Sequence, residues 1–317
     1  MMQIYREIKR ITQKVEEIEE NVWIHLVAPT QEEIDKVSTS TGLMLELLKA
    51  ALDAEERPRI ETEENQMLII INIPISSSIL SYKTIPLGII INSSFITTVC
   101  LQDTSIIYDL IARSKIHTGK RTRLFLQLLY RIAILYIQNV RSLNLKAQEI
   151  EMNLRKSMKN KEMFDLLEIQ KSLVYLSTAL KANEILMEKL MRYHLRPTSE
   201  KKNEQLPIRL YPEDEDILED AITENHQAFS MADVHSNILS GTMDAFASII
   251  SNNLNIVMKF LASMTIILAI PALLGTFYGM NVPLPFEKHP FAFTGIMIIS
   301  AAITLITIII FLTKKML

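Results

Sequence analysis

Apolar positions follow different periods in successive parts of this chain. Val22 to Val27 (VWIHLV) is a short β-branched and aromatic run, read as a strand. Ala28-Pro29-Thr30 follows, with Thr30 placed as N-cap and Glu33 three residues on as its capping-box partner. Apolar spacing predicts a helix over Gly42 to Ala54. Met67 to Ile73, Ile85 to Ile91 and Phe95 to Leu101 are apolar runs bounded by Pro, Gly, Asn and Ser, and predict three strands. From Asp103 to Arg196 there is no proline, and apolar residues recur every three or four positions. That segment predicts two or three long amphipathic helices, broken near Lys159-Asn160.

Leu195 to Pro212 reads as a linker. From Glu213 to Met280 the helical period resumes, with Ala228, Ala232, Leu239, Met243, Phe246, Ile250 and Leu254 in register. As one helix this segment is about 100 Å long. Only ~30 Å of it fits in a hydrocarbon layer. The remainder is expected to project as a stalk whose apolar face packs on other helices, which points to oligomerisation. Leu261 to Tyr278 and Phe291 to Leu312 are uncharged apolar runs of spanning length, joined by a short loop, Asn281 to Pro290. Two such runs make a hairpin. Lys259 before the first and Lys314 and Lys315 after the second put both chain ends on the cytoplasmic side.

Charge adds that contrast and little else. Charged residues make up 22% of the chain and fill its first part, while the net charge is only −3, which gives no support for a nucleic-acid partner. The N-terminal segment MMQIYREIKRITQKVEEIEE has charges throughout and no signal-peptide core. Cys100 is the single cysteine and is read as a small buried hydrophobe. The six histidines are scattered, and no phosphate-cradling glycine loop or nucleophile–base motif stands out, so an enzyme is not expected.

Asn255, Met258, Ala262, Thr265, Ala269, Ala272 and Thr276 share one face of the first apolar helix. Apart from Met258 they are small or polar. Two readings stay open: close helix packing through small residues, or the lining of a water-filled pore. Tyr278-Gly279-Met280-Asn281 ends this helix before a short loop and a last span. Together with Asn255-x-x-Met258-Lys259, Pro271 and the upstream Pro58-Arg-Ile-Glu61 segment, it resembles the CorA magnesium-channel family along essentially the whole chain.

The resemblance implies an α/β cytoplasmic domain, a small sheet flanked by helices, whose long stalk helix continues into a two-span hairpin. The expected divisions are 1–200 (cytoplasmic domain), 213–255 (stalk), 256–280 (pore-lining span), 281–290 (external loop), 291–312 (second span) and 313–317 (basic tail). It implies a homopentamer in the cell membrane that conducts Mg2+, with Co2+ and Ni2+ as further candidates. Gly279, Met280 and Asn281 are then the selectivity filter, with oxygens of Asn281 and Gly279 gripping a hydrated ion weakly enough to release it. Met258 is the hydrophobic gate above a polar Asn255 ring. Glu213, Asp216 and Asp220 become regulatory Mg2+ ligands, against the alternative of a solvated acidic face. Lys314 and Lys315 become a basic collar, against contact with membrane lipid.

The chain departs from the family in two places: Ser76-Ser77-Ser78 stands where the regulatory partner acid is usual, with Glu61, Glu63 and Glu64 as substitutes, and the loop has Glu287 as its one acid. Zn2+ or another transition metal on the same architecture is the rival cargo, and a membrane-anchored coiled-coil scaffold or sensor the rival class. The pore stripe carries no His or Cys, which favours hydrated Mg2+ over softer ions.

Overall fold

The computed structural model describes residues 1–9, 11–113, 116–157, 160–195, 211–280, 282, 290–314 and 316. The chain forms two compact units, Met1–Gly241 and Thr242–Leu317.

The first unit is built on a seven-stranded mixed sheet. Its strands are β1 (Met2–Ile8), β2 (Ile11–Val15), β3 (Trp23–Val27), β4 (Arg59–Glu63), β5 (Gln66–Ser76), β6 (Tyr82–Ile91) and β7 (Ile96–Cys100), in the order β2-β1-β3-β7-β6-β5-β4. Only β3 and β7 pair in parallel, with His25 opposite Thr98 and Val27 opposite Cys100. The strands are apolar on both sides: Met67 to Ile71 of β5 are all fully buried. Leu68 and Ile70 join a core with Ile34, Val37, Leu47 and Leu48 of α1 (Gln31–Thr41) and α2 (Leu45–Ala50). Ile69 and Ile71 point to the opposite face. There α4 (Arg121–Ser157) and α5 (Asn160–Leu195) contact β5 and β6, and the nine-residue α3 (Ser105–Arg113) packs on α4.

Several sequence expectations hold. The capping box at Thr30 and Glu33 is formed in both directions. Cys100 is fully buried, and burial pushes its thiol up to about 12. The helix break falls as expected, with α5 starting at Asn160; Lys159 lies outside the described residues.

Others need correction. The helix expected over Gly42–Ala54 is not one: Gly42 terminates α1 with φ of 69° and donates to Ser38 O, and α2 covers only Leu45–Ala50. A left-handed C-cap ends a helix, and glycine takes that conformation without strain. The N-terminal residues read only for charge form the hairpin β1–β2, with Ile4 and Tyr5 buried against the sheet. Pro58-Arg-Ile-Glu61 leads into an edge strand of its own, β4, closed on β5 by a turn in which Glu64 and Asn65 have φ of 44° and 64°. Both residues left-handed is the type I′ hairpin geometry. β5 and β6 also run further than expected, through Pro74 and Pro86.

Side chains of α5 complete the sheet where strand pairing stops. β4 reaches only as far as Arg59 opposite Ile70, so Asn72 of β5, paired with Pro86 of β6 on one side, has no strand beside it on the other. The Asn183 amide takes that place, accepting from Asn72 N at 3.0 Å and donating to Asn72 O at 2.8 Å. Tyr136 of α4 donates to the same carbonyl at 3.0 Å. Ser172 accepts from Tyr82 N in a similar way.

Helix α6 (Pro212–Tyr278) has 67 residues, and the division between the two units falls inside it. In the first unit its inner face is already covered: Leu218, Ala221, Asn225, Ala228 and Ala232 are fully buried. Asn225 Nδ2 donates to Leu180 O of α5 at 2.9 Å. The apolar face expected to seek other subunits is therefore largely satisfied by the chain itself, since Ala228, Ala232, Leu239 and Phe246 are all buried, while Leu254 is exposed. The second unit holds the rest of α6 and α7 (Ala292–Thr313). Both helices are long and apolar enough to cross a membrane.

Candidate functional site

All seven residues of the small, polar stripe (Asn255, Met258, Ala262, Thr265, Ala269, Ala272 and Thr276) are exposed. The shielded positions on the same stretch of α6 are Ser263, which is fully buried, and the half-buried Ile267, Ile270 and Leu274. At 3.6 residues per turn the shielded face lies about 150° around the helix from the stripe. On α7 the shielded residues are mostly small or β-branched, among them Gly295, Ile296, Ser300 and Thr304. Small residues let membrane helices approach closely. One face of this stretch of α6 is thus partly shielded, and the stripe lies open on nearly the opposite one. The side faces carry large exposed residues such as Leu268, Leu273 and Phe277, suited to hydrocarbon.

Within the stripe, Thr265 Oγ1 donates to Leu261 O at 2.9 Å and Thr276 Oγ1 donates to Ala272 O at 2.7 Å. Each hydroxyl proton is satisfied by the helix, which leaves the oxygen lone pairs as acceptors for water. Pro271 removes one N–H from the backbone ladder at mid-span. At the end of the stripe, Gly279 N donates to Gly275 O at 3.0 Å and Met280 N to Phe277 O at 3.3 Å, so the helical turn closes just before the proposed filter. Gly279 is not in the left-handed region, and a Cβ built on it would sit 3.4 Å from Gly275 O. Met280 is exposed, and Asn281 lies outside the described residues. At the other end Lys314 is exposed and Lys315 is outside the described residues. Ser263 Oγ shares its one proton between Lys259 O at 2.8 Å and Met316 O at 3.2 Å, a link with no sign in the sequence.

Of the candidate regulatory acids, Glu213 is met by an arginine of α4, Arg123, at 3.4 Å. Asp220 lines a cleft of about 300 Å³ with Gln127, Tyr130, Arg131 and Ile217. Asp216 is exposed. Between them Asp214 is buried and accepts from Tyr211 N at 3.4 Å, which makes it part of the helix start. Glu61 is bridged to Arg59 at 3.0 Å on β4, Glu63 ends that strand, and Glu64 lies in the turn. Among the described residues no three His, Cys, Asp or Glu side chains are grouped to hold a metal.

A contact the sequence did not announce joins α5 to α6: Glu184 accepts from Lys181 and His226, each at 2.7 Å. Burial alone would raise the Glu184 carboxyl, but those two hydrogen bonds outweigh it and hold it below the usual range.

A mixed sheet flanked by helices, followed by one long helix with an apolar end and a second apolar helix of spanning length, defines the class of the fold. A family model described as CorA-like Mg2+ transporter protein matches residues 18–315, and the chain belongs to that family. The cobalt/magnesium transport protein CorA of Methanocaldococcus jannaschii is 28% identical over 300 residues, covering 92% of this chain and 89% of that protein. The complete structure of the CorA magnesium transporter from the same organism superposes with a TM-score of 0.81 at 26% identity, covering 98% of this chain and 97% of that one. The soluble domain of that protein gives 0.65 at 25% identity, covering 77% of this chain and 95% of the other.

Proposed function

We propose that this chain is one subunit of a divalent-cation channel in which five copies place the stripe of α6 around a central, water-filled path for hydrated Mg2+. The observation that carries the reading is the opposition of faces. In the second unit α6 is partly shielded along Ser263, Ile267, Ile270 and Leu274, and the small, polar face running from Asn255 to Thr276 is left open on nearly the opposite side. Directed at lipid, this face would leave the Asn255 amide without a partner and the Thr265 and Thr276 oxygens without acceptor contacts, although their protons are bonded within the helix. Directed at copies of itself across water, those groups are solvated. The relative's name carries cobalt beside magnesium, so both ions belong among the candidate cargoes.

In this reading Asn281 and the Gly279 carbonyl form the outer ring, where neutral oxygens hold an ion through its water shell without trapping it. Met258 closes the cytoplasmic end by dewetting, above the Asn255 ring. Asp216 and Asp220 are the carboxylates through which cytosolic Mg2+ regulates the pore. With Glu213 engaged by Arg123, that control is expected to be weak.

The test is uptake of Mg2+, Co2+ and Zn2+ into liposomes holding the full chain and an ion-sensitive dye. Wild type and Asn281→Ala are compared. Potential-driven Mg2+ uptake abolished by the substitution supports the channel and its filter. Flux of Zn2+ alone moves the protein to transition-metal transport, and absence of all flux leaves a scaffold.

A further inference from the structure

We propose that Lys259 and Lys314 form a binding site for the phosphate of an anionic phospholipid headgroup, a site that rests on the reading of α6 and α7 as bilayer-spanning. The Ser263 hydroxyl connects the two lysines. Its one proton is shared between the carbonyl of Lys259, one turn before it, and the carbonyl of Met316, two residues beyond Lys314. One buried hydroxyl therefore holds the backbone around Lys259 against the backbone that follows Lys314. Lys314 N donates to Ile310 O at 3.0 Å and Met316 N to Phe311 O at 2.9 Å, which keeps this segment on the last turn of α7. Lys259 is four residues from Ser263 and shares its face, on the α7 side of α6 and away from the stripe.

Neither lysine has an ion-pair partner among the described residues, and both are exposed. No Asp or Glu side chain lies between Asp244 and Glu287, the stretch that holds Lys259. Two ammonium groups at the same end of the two helices, with no ion-pair partner among the described residues, repel, and a phosphate between them satisfies both. Both lysines stand at the same end of the two apolar runs, at the depth where headgroups lie. Phe260 and Leu312, the apolar neighbours of the two lysines in sequence, are about half exposed. They offer acyl chains a surface that a free phosphate has no use for, which favours a lipid over a soluble anion.

The experiment reconstitutes the full chain into vesicles of phosphatidylcholine mixed with phosphatidylglycerol. The lipids retained on the protein are then counted by native mass spectrometry. Each lysine near an anionic surface strengthens association about fivefold. Wild type is expected to retain phosphatidylglycerol over phosphatidylcholine, and Lys259→Gln/Lys314→Gln to lose most of that preference. Lys259→Arg/Lys314→Arg should keep it. Ser263→Ala should weaken it without removing a charge, since it frees the segment that positions Lys314. An unchanged preference in the Gln pair overturns the site. So does displacement of the lipid by inorganic phosphate, which would show a free-anion site. Alkaline carbonate washing of the vesicles separates the two layers of inference. Wild type washed out overturns the spanning reading itself, whereas wild type retained with an unaltered Gln pair overturns only the headgroup site.

Discussion

Alanine at Gly279 and alanine at Gly88 should have opposite consequences, and the contrast tests the proposed mouth of the pore. A Cβ on Gly279 meets nothing closer than Gly275 O at 3.4 Å and Thr276 O at 3.5 Å, and the residue has no positive φ. Within one subunit the substitution is close to ordinary contact, so its stability effect belongs with surface changes, within about 0.5 kcal/mol. A Cβ on Gly88 meets Ala51 Cβ at 2.5 Å, and both partners are short and rigidly placed, one on β6 and the other at the end of α2. Overpacking of this kind costs about 1–3 kcal/mol. At about 2–4 °C per kcal/mol the Gly88→Ala melting temperature should fall by several degrees. Ala51→Gly in the same chain should restore most of the loss.

The assay pairs a thermal melt of the purified full chain with liposome Mg2+ uptake. Gly279→Ala should melt like wild type yet conduct at least about tenfold less, equivalent to some 1.4 kcal/mol at the mouth. A melting temperature lowered by Gly279→Ala would refute the local geometry. Unchanged melting with unchanged flux would remove Gly279 from the filter.

Three further outcomes follow from the first unit. Burial pushes His25 down to about 4 from 6.5, an effect that Asp103 and the Thr98 contact only partly offset. The folded protein holds this ring neutral, so its contribution is intact above about pH 6.5 and is lost as the pH falls towards 4. Linkage puts the loss near ~3 kcal/mol; His25→Gln should flatten this part of the profile of melting temperature against pH. Asn183→Ala leaves the Asn72 N–H without its acceptor and should destabilise by about 1–3 kcal/mol, read from the same melts. In the β4–β5 turn, Glu64→Asn with Asn65→Gly suits two left-handed residues better and should raise stability by roughly 0.5–1 kcal/mol; a decrease would refute the type I′ assignment.

Much of this protein was legible from the chain alone, for identifiable reasons. The two helices of spanning length follow from two long uncharged runs, because an apolar helix of that length satisfies its own backbone inside hydrocarbon. The central strands were visible as apolar runs, and the first helix start as Thr30 with Glu33, because both signals are local. The polar stripe from Asn255 to Thr276 was a matter of counting residues on one face of a helix. The hairpin β1–β2 was not legible, since its charged positions hide the buried ones until β3 lies alongside. Gly42 could be placed inside a helix or at its end, and only the packing of α1 and α2 on the sheet settles it.

Tertiary structure alone decided which face of α6 is used inside the chain and which is left over. Periodicity shows that faces exist, but not what covers them. Ala228 and Ala232 turned out to be covered by the same chain, while Ser263, which counts as one more small residue in sequence, is the buried anchor of the segment after α7. The facing of Glu213 by Arg123, and of Glu184 by His226, is likewise a matter of the fold. Charges 42 or 90 positions apart in the chain acquire their partners only when helices pack, because long-range pairing leaves no periodic trace in sequence.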